Sequence, residues 1–377
     1  MVKIGVILIL DSYKIIIAGG GTGGHLFPAI AIGEEIKERI PEAKIHFVGS
    51  DFGLEAKVFP VKDLLHTLLP IRGLQRGISF DSFTKNLILP FRIIASLIKL
   101  KTLFKDFAPE LVIGTGGYAS ALPLFMATMQ KNSIPIVLQE QNSFPGITTR
   151  WFANKANMIC AAFKFYNGSL NHKVVLTGNP IRNNIISGKK SLACNEYKLG
   201  MHKKTVFVFG GSQGSAFLNK SIAQVIKNFD DRTIQILWQT GDNEYHKYKR
   251  YMDDSIKVVP FINDMASAYA ISDLVVCRSG ALTLSEVTIC GKPSILIPFA
   301  AAAGNHQLKN AKTLYEAGAS FLIEEKDLDS NSLFKNINHL INNKTTLDKM
   351  SSASKNLGKP NATKKIVDCL MELRSNV

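Results

Sequence analysis

The sequence predicts an α/β protein built from two Rossmann-like domains facing a cleft, and three observations carry that expectation. Short β-branched runs alternate with longer amphipathic stretches along the chain, the pattern of buried parallel strands in α/β units. A strand, glycine turn and helix start occur at Ile15–His25 and again at Val206–Ser215. Hydrophobic residues make up 46% of the 377 residues, enough for two cores of ordinary size.

In chain order, the expected strands are Ile15–Ala18, Ile45–Val48, Leu111–Ile113, Ile134–Leu138, Val174–Thr177, Val206–Phe209, Ile234–Gln239, Leu274–Val276 and Ser294–Ile297. A polar stretch near Asn183 to Lys204, with Gly188 and Gly200, follows Gly178-Asn-Pro-Ile-Arg182. The first domain is therefore expected over 1–178 and the second over 179–358. Pro360 introduces a last helix, Thr363 to Arg374, so that 359–377 is expected to pack back on the first domain.

The formal net charge of +15 favours an anionic partner: nucleic acid, a phosphate-rich substrate or anionic lipid. No aromatic-basic nucleic-acid module is visible, so nucleic acid is not expected. The five cysteines are widely spaced and none forms a C-x-x-C pair. Neither a zinc site nor a disulfide scaffold is indicated, and a reducing cytoplasm fits. Ile4 to Leu10 is apolar, but Asp11 follows it without a small-x-small cleavage site, so it reads as a cytoplasmic extension rather than an export signal. No stretch approaches the roughly 20 apolar residues of a membrane-spanning helix.

Gly19-Gly-Gly-Thr-Gly-Gly24 satisfies G-x-G-x-x-G. Glycines let the backbone approach a phosphate, and the helix that follows offers free N–H groups. Taken alone, the motif also fits a dinucleotide-dependent oxidoreductase with Asp51 on the ribose. Thr115-Gly-Gly-Tyr118 gives a second glycine turn and Gly210-Gly-Ser-Gln-Gly214 a third. A dehydrogenase needs one pyrophosphate loop; glycine loops in both halves suit two phosphate-bearing substrates. In Cys277-Arg-Ser-Gly-Ala-Leu-Thr-Leu-Ser-Glu286 a helix starting at Ala281 places Glu286 where a carboxylate can accept ribose hydroxyls. In Pro298–Asn310, His306 and Gln307 sit at a helix start with Asn310 one turn on, where amides can read sugar hydroxyls. Gln139-Glu-Gln-Asn142 ends a strand, where α/β proteins place active sites.

The motifs Gly-Gly-Thr-Gly-Gly-His, Gly-Gly-Tyr, Glu-Gln-Asn, Gly-Asn-Pro-x-Arg, Gly-Gly-Ser-Gln-Gly, Arg-Ser-Gly-Ala-x-Thr-x-x-Glu and His-Gln-x-x-Asn-Ala stand in that order over nearly the whole chain. Together they resemble the MurG family of lipid II-forming N-acetylglucosaminyltransferases, of the GT-B class. Gln139 stands where that family commonly has histidine, and Ala301–Gly304 lacks the polar residues often found there.

The resemblance implies inverting transfer of N-acetylglucosamine from UDP-N-acetylglucosamine to the 4-hydroxyl of undecaprenyl-diphosphate-linked muramyl pentapeptide (lipid I). A GT-B transferase with a soluble acceptor stays open. The resemblance puts the donor on the second domain at Ser212, Ile262, Arg278, Ala281, Leu282, Thr283, Glu286, Gln307 and Asn310. Gly116, Gly117 and Tyr118 fall to the acceptor, and Thr22, Gly23, Gly24, Asn142 and Arg182 to either substrate. His25 is the candidate base, with two alternatives: Glu140 takes that part, or His25 only shapes the loop and meets acceptor phosphate. No metal or other cofactor is expected. The implied location is peripheral, on the cytoplasmic face of the bacterial plasma (inner) membrane, with cell-wall synthesis and division proteins as further partners. Leu87, Phe91, Arg92 and Ile94 are the expected membrane contact, within a basic stretch from Thr84 to Lys105 that lacks Asp and Glu. An ordinary core face is the competing reading of that apolar stripe.

Overall fold

The computed structural model describes residues 13–73, 87–163, 173–181, 184–229 and 234–375. The N-terminal run, Lys85 and Arg182 therefore lie outside the described residues. The chain divides into two compact units: Met1–Gln141, Pro145–Thr177 and Thr363–Val377 form the first, and Asn142–Phe144 with Gly178–Ala362 the second.

The first unit runs β1 (Lys14–Ala18), α1 (Gly23–Arg39), β2 (Lys44–Ser50), α2 (Glu55–Val61), β3 (His66–Leu69), α3 (Leu89–Phe107), β4 (Leu111–Gly114), α4 (Tyr118–Thr128), β5 (Ile136–Glu140), α5 (Ile147–Phe152), β6 (Met158–Ala161) and β7 (Val174–Leu176). Its seven strands lie in the order β3-β2-β1-β4-β5-β6-β7, every pair parallel. Register pairs Ile15 with Ile45 on one side and Leu111 on the other. Because side chains alternate along a strand, Ile15 and Ile17 join a cluster with Leu26, Ile32 and Ile36 of α1. Ile16 and Ala18 join the opposite cluster with Leu100 and Phe104 of α3 and Leu124 of α4. Both faces are covered, which is why β1 reads as an unbroken apolar run.

The second unit carries α6 (Lys190–Tyr197), β8 (Lys204–Phe209), α7 (Ala216–Val225), β9 (Ile234–Gln239), α8 (Asp242–Tyr248), β10 (Ile256–Val259), α9 (Met265–Ile271), β11 (Leu274–Cys277) and α10 (Ala281–Ile289). It continues through β12 (Ser294–Leu296), α11 (His306–Glu316), β13 (Ser320–Leu322), α12 (Ser330–Asn342) and α13 (Lys344–Leu357). Its strand order is β10-β9-β8-β11-β12-β13, all parallel. Counted within the unit this is the doubly wound order 3-2-1-4-5-6. Val206 and Val208 face one cluster, Phe207 and Phe209 the other. The last helix, α14 (Ala362–Ser375), puts Ile366, Val367, Cys369 and Leu370 into the same cluster as Ile15 and Ile17, in the first unit.

In each sheet the order reverses direction once, between β1 and β4 and between β8 and β11. Loops leaving the carboxyl ends of those strand pairs diverge to opposite faces and open a crevice, where such folds bind ligands. The glycine turns after β1, β4 and β8, and the Arg278–Gly280 turn after β11, stand at those two places.

Candidate active site

In the first unit the two glycine turns and the first turn of α1 interlock around His25. Thr22 is the N-cap, in extended conformation, and its side chain makes no capping bond. His25 is half-buried on the first turn. The Thr115 hydroxyl donates to the His25 carbonyl at 2.8 Å, and His25 Nδ1 lies 3.0 Å from the Thr115 carbonyl and 3.0 Å from Gln141 Oε1. A backbone carbonyl can only accept, so Nδ1 carries the proton and Nε2 is left as the ring's acceptor. Gly116 and Gly117 make this fit possible. Both have positive φ, +94° and +76°, and a methyl group on Gly117 would run into the Gly20 carbonyl.

Tyr118 opens α4. Its hydroxyl donates to Ser50 Oγ at 3.4 Å, and that hydroxyl in turn donates to the Ile71 carbonyl at 2.6 Å. Burial raises the Tyr118 pKa above its ordinary value. Gly23 and Gly24 lie in the first turn of α1; Gly24 is exposed and has open space at its Cβ position apart from Thr22.

Glu140, at the end of β5, is buried. Its Oε2 accepts from Gly146 N at 2.9 Å and from Thr149 Oγ1 at 2.6 Å. Asp51, the ribose carboxylate of the oxidoreductase alternative, is exposed. The carboxylate that reaches the glycine turn belongs instead to Glu55, which motif reading missed.

In the second unit Gly210–Ser215 curls over the end of β8. Gly214, with φ +75°, packs against the Thr240 carbonyl so closely that a side chain there would collide with it. Ser215 Oγ caps α7 through Leu218 N. Ser212 is exposed on the loop. Arg278, after β11, reaches across the switch point. Its Nε and one terminal nitrogen donate to Ser215 Oγ at 3.2 and 2.9 Å. The other terminal nitrogen donates to the carbonyls of Ile297 and Pro298 at 3.1 and 3.2 Å. Glu325 completes the set by pairing with the guanidinium, while its second oxygen accepts from Ala300 N at 3.1 Å. All five guanidinium donors are taken up within the protein.

Ile262 is buried, and its N–H donates to Gln239 Oε1 at 2.8 Å; the Gln239 amide donates in turn to the Gly211 carbonyl at 3.0 Å. One buried glutamine thus joins the glycine loop to the Phe261–Asp264 loop, a link with no local sequence signal. Ala281, Leu282 and Thr283 form the first turn of α10, with Gly280 as N-cap. Glu286 is half-buried, and Tyr269 OH donates to its Oε2 at 3.2 Å. Tyr269 is buried edge-on against the stacked rings of Phe207 and Phe209; burial first, then the adjacent Glu286, raises its pKa well above normal and keeps it a donor. Gln307 Oε1 accepts from Phe299 N at 3.0 Å, and its carbonyl accepts from Ser279 Oγ at 2.8 Å. Asn310 is buried, and Oδ1 accepts from both N and Oγ of Ser143, at 3.0 and 2.9 Å. Its amide donates to Asn142 Oδ1 at 3.3 Å.

Pro90 is the second residue of α3, so it starts that helix rather than breaking it. Ser96, Leu100 and Phe104 form the buried face. Phe91 and Ile94 are 72% and 56% exposed, and Leu87 and Ile98 are exposed too. This stripe is not a core face. The Arg92 guanidinium lies 4.8 Å from the centroid of the Phe52 ring. Among the described residues no helix is long and apolar enough to cross a membrane, and no group of three His, Cys, Asp or Glu side chains is placed to share a metal ion.

Two doubly wound units with glycine loops at their switch points are the architecture of GT-B glycosyltransferases, and the domain matches agree. Residues 15–161 match the Glycosyltransferase family 28 N-terminal domain and residues 205–366 the Glycosyltransferase family 28 C-terminal domain. A Flavobacterium psychrophilum protein named UDP-N-acetylglucosamine--N-acetylmuramyl-(pentapeptide) pyrophosphoryl-undecaprenol N-acetylglucosamine transferase is 40% identical, over 97% of this chain and 98% of its own. A Finegoldia magna protein of the same name is 41% identical, over 96% and 98%. The crystal structure of Acinetobacter baumannii MurG shares the fold with a TM-score of 0.75 at 24% identity, over 96% of this chain and 99% of that one. The chain belongs to the MurG family of N-acetylglucosamine transferases. It is a glycosyltransferase, and the oxidoreductase reading is set aside.

Proposed function

We infer that this protein moves N-acetylglucosamine from UDP-N-acetylglucosamine to the 4-hydroxyl of undecaprenyl-diphosphate-linked muramyl pentapeptide, forming lipid II. The observation that carries the reading is the 40% identity to a transferase of that name along nearly the full length of both chains. Purified protein incubated with labelled UDP-N-acetylglucosamine and lipid I should yield labelled lipid II. Hydrolysis of the donor without lipid II, or transfer only to soluble acceptors, would overturn it.

The chain's own groups divide the work. His25 is the base: with Nδ1 held by acceptors, Nε2 takes the proton of the attacking hydroxyl as the bond to the donor sugar forms and UDP departs. Glu140 is a positioning residue, because its buried carboxylate holds the Gly146 N–H and the Thr149 hydroxyl. Gly116, Gly117 and Tyr118, with Gly23 and Gly24, line the acceptor side. Glu286, steadied by Tyr269, accepts the ribose hydroxyls, and the turn at Ala281–Thr283 with the Ser212 loop faces the diphosphate. N–H groups there stabilise the charge that develops on departing UDP. Ile262 meets uracil through backbone atoms, exchanging its bond to Gln239 for one to the base. Gln307 and Asn310 read the donor sugar, and Arg278 acts indirectly by holding Ser215 and the Ile297–Ala300 turn. Leu87, Phe91 and Ile94 rest shallowly in an anionic membrane, with Arg92 beside them, which fits a peripheral enzyme on the cytoplasmic face.

A further inference from the structure

Glu55 is fully buried, with 0% of its surface exposed, yet it is a carboxylate. Its partners are backbone N–H groups. Gly21 N donates to Oε1 at 2.9 Å and Oε2 at 3.0 Å, and Ser50 N donates to Oε1 at 2.9 Å. Gly20, Gly49 and Gly53 close around the side chain, and a methyl group on any of them would run into it. No cation forms an ion pair with Glu55 among the described residues. Burying a carboxylate is costly unless hydrogen bonds offset the lost water, and these N–H bonds do so.

On a Rossmann glycine turn, N–H groups normally point at a bound anion. Here one of them, Gly21, points inward at an anion that the protein itself supplies. The same carboxylate fixes Ser50, whose hydroxyl receives Tyr118 OH. One side chain thus ties the turn after β1 to the end of β2 and to the start of α4.

We propose that Glu55 is a positioning residue for the lipid-linked acceptor, an internal anion that sets the glycine turn before ligand arrives and keeps the Gly21 N–H out of ligand contact. The proposal rests on the acceptor reading of the first unit. An acceptor phosphate is then left the N–H groups further along, at Gly23 and Gly24, where α1 begins.

The test is steady-state kinetics of lipid II formation by Glu55→Gln and Glu55→Ala, with UDP affinity and thermal melting measured on the same samples. The glutamine is nearly isosteric, but it sets an NH₂ group against a backbone N–H. Loss of one hydrogen bond to a charged acceptor corresponds to roughly tenfold or more. Glu55→Gln should raise KM for lipid I about tenfold, and Glu55→Ala further, with UDP affinity held within about twofold. If Glu55→Ala does not fold, Glu55→Gln carries the test alone. An unchanged KM for lipid I in folded Glu55→Gln overturns the proposal. So does an equal loss of donor and acceptor affinity, which marks a general structural role. If wild-type protein makes no lipid II, the functional reading fails instead, so the two failures are told apart.

Discussion

Removing the guanidinium of Arg278 should cost the second unit a large part of its stability. The side chains of Arg278 and Glu325 are only 8% and 16% exposed, so solvent screens their pairing little. Arg278→Ala deletes five donors together, leaving the Glu325 carboxylate, the Ile297 and Pro298 carbonyls and Ser215 Oγ without that partner. Breaking a buried ion pair from one side costs about 3–5 kcal/mol, against about 5–15 kcal/mol for a whole domain. Arg278→Lys keeps the charge but loses the planar fork, at about 1–2 kcal/mol, the worth of one or two ordinary hydrogen bonds. Urea unfolding followed by Trp238 fluorescence, in a Trp151→Phe background, reads the second unit alone, because Trp238 is buried in that unit and the chain has two tryptophans. Arg278→Ala combined with Glu325→Ala should be more stable than the sum of the single losses, because no orphaned charge remains. A loss below about 1 kcal/mol for Arg278→Ala, or strict additivity of the pair, would refute this account.

Four other outcomes are expected. His25→Ala should lower kcat for lipid II formation roughly 10²–10⁴-fold while UDP affinity stays unchanged; near-normal turnover at every pH tested would return the base to Glu140. Glu286→Ala should weaken UDP binding by about 1.5–3 kcal/mol, and Tyr269→Phe by about 0.5–1.5 kcal/mol, both read by calorimetry; unchanged affinity in folded Glu286→Ala would remove it from the ribose site. Phe91→Ser with Ile94→Ser should release the protein from anionic vesicles without lowering its melting temperature, since both side chains are exposed; retained binding would place the membrane contact elsewhere. Burial, with His66 adding, pushes His46 down to about 4 from 6.5. Its folded pKa lies below the unfolded one, so its stabilising contribution is complete above pH 6.5 and lost as pH falls to about 4. His46→Gln should therefore flatten the fall in urea midpoint across that window, and parallel curves for variant and wild type would contradict it.

Motifs that bend the chain sharply were readable because glycine has few substitutes there. The turns at 19–24, 115–118 and 210–214 stand out by composition alone. Strands β3, β10 and β13 were not anticipated, and all three are sheet edges paired on one side only. Ile256-Lys-Val-Val259 and Ser320-Phe-Leu322 carry too little apolar run to separate from a loop. Met158-Ile-Cys-Ala161 is different: β6 is an interior strand with only one β-branched residue, and pairing with β5 and β7 overrides its weak propensity. The expected strand at Ile134 begins at Ile136 instead, because Pro135 offers no N–H to the ladder. Glu55, Gln239 and Glu325 escaped for another reason: each acts on residues distant in sequence, and no local spacing announces a carboxylate aimed at a turn 34 positions away.

The last helix has a consequence for the order in which the molecule is made. Ile366, Val367, Cys369 and Leu370 finish a hydrophobic cluster whose other buried members are all translated before Gly178, where the main body of the second unit begins. Until α14 emerges, the face of the sheet that carries Ile15, Ile17, Met158 and Val175 has nothing in its place. A nascent chain that has passed Thr177 therefore carries an apolar gap while the next unit is being synthesised, a natural docking point for a holding chaperone. Fragments that stop short of Ala362 would inherit that gap permanently and should aggregate, however complete the sequence of their first 177 residues.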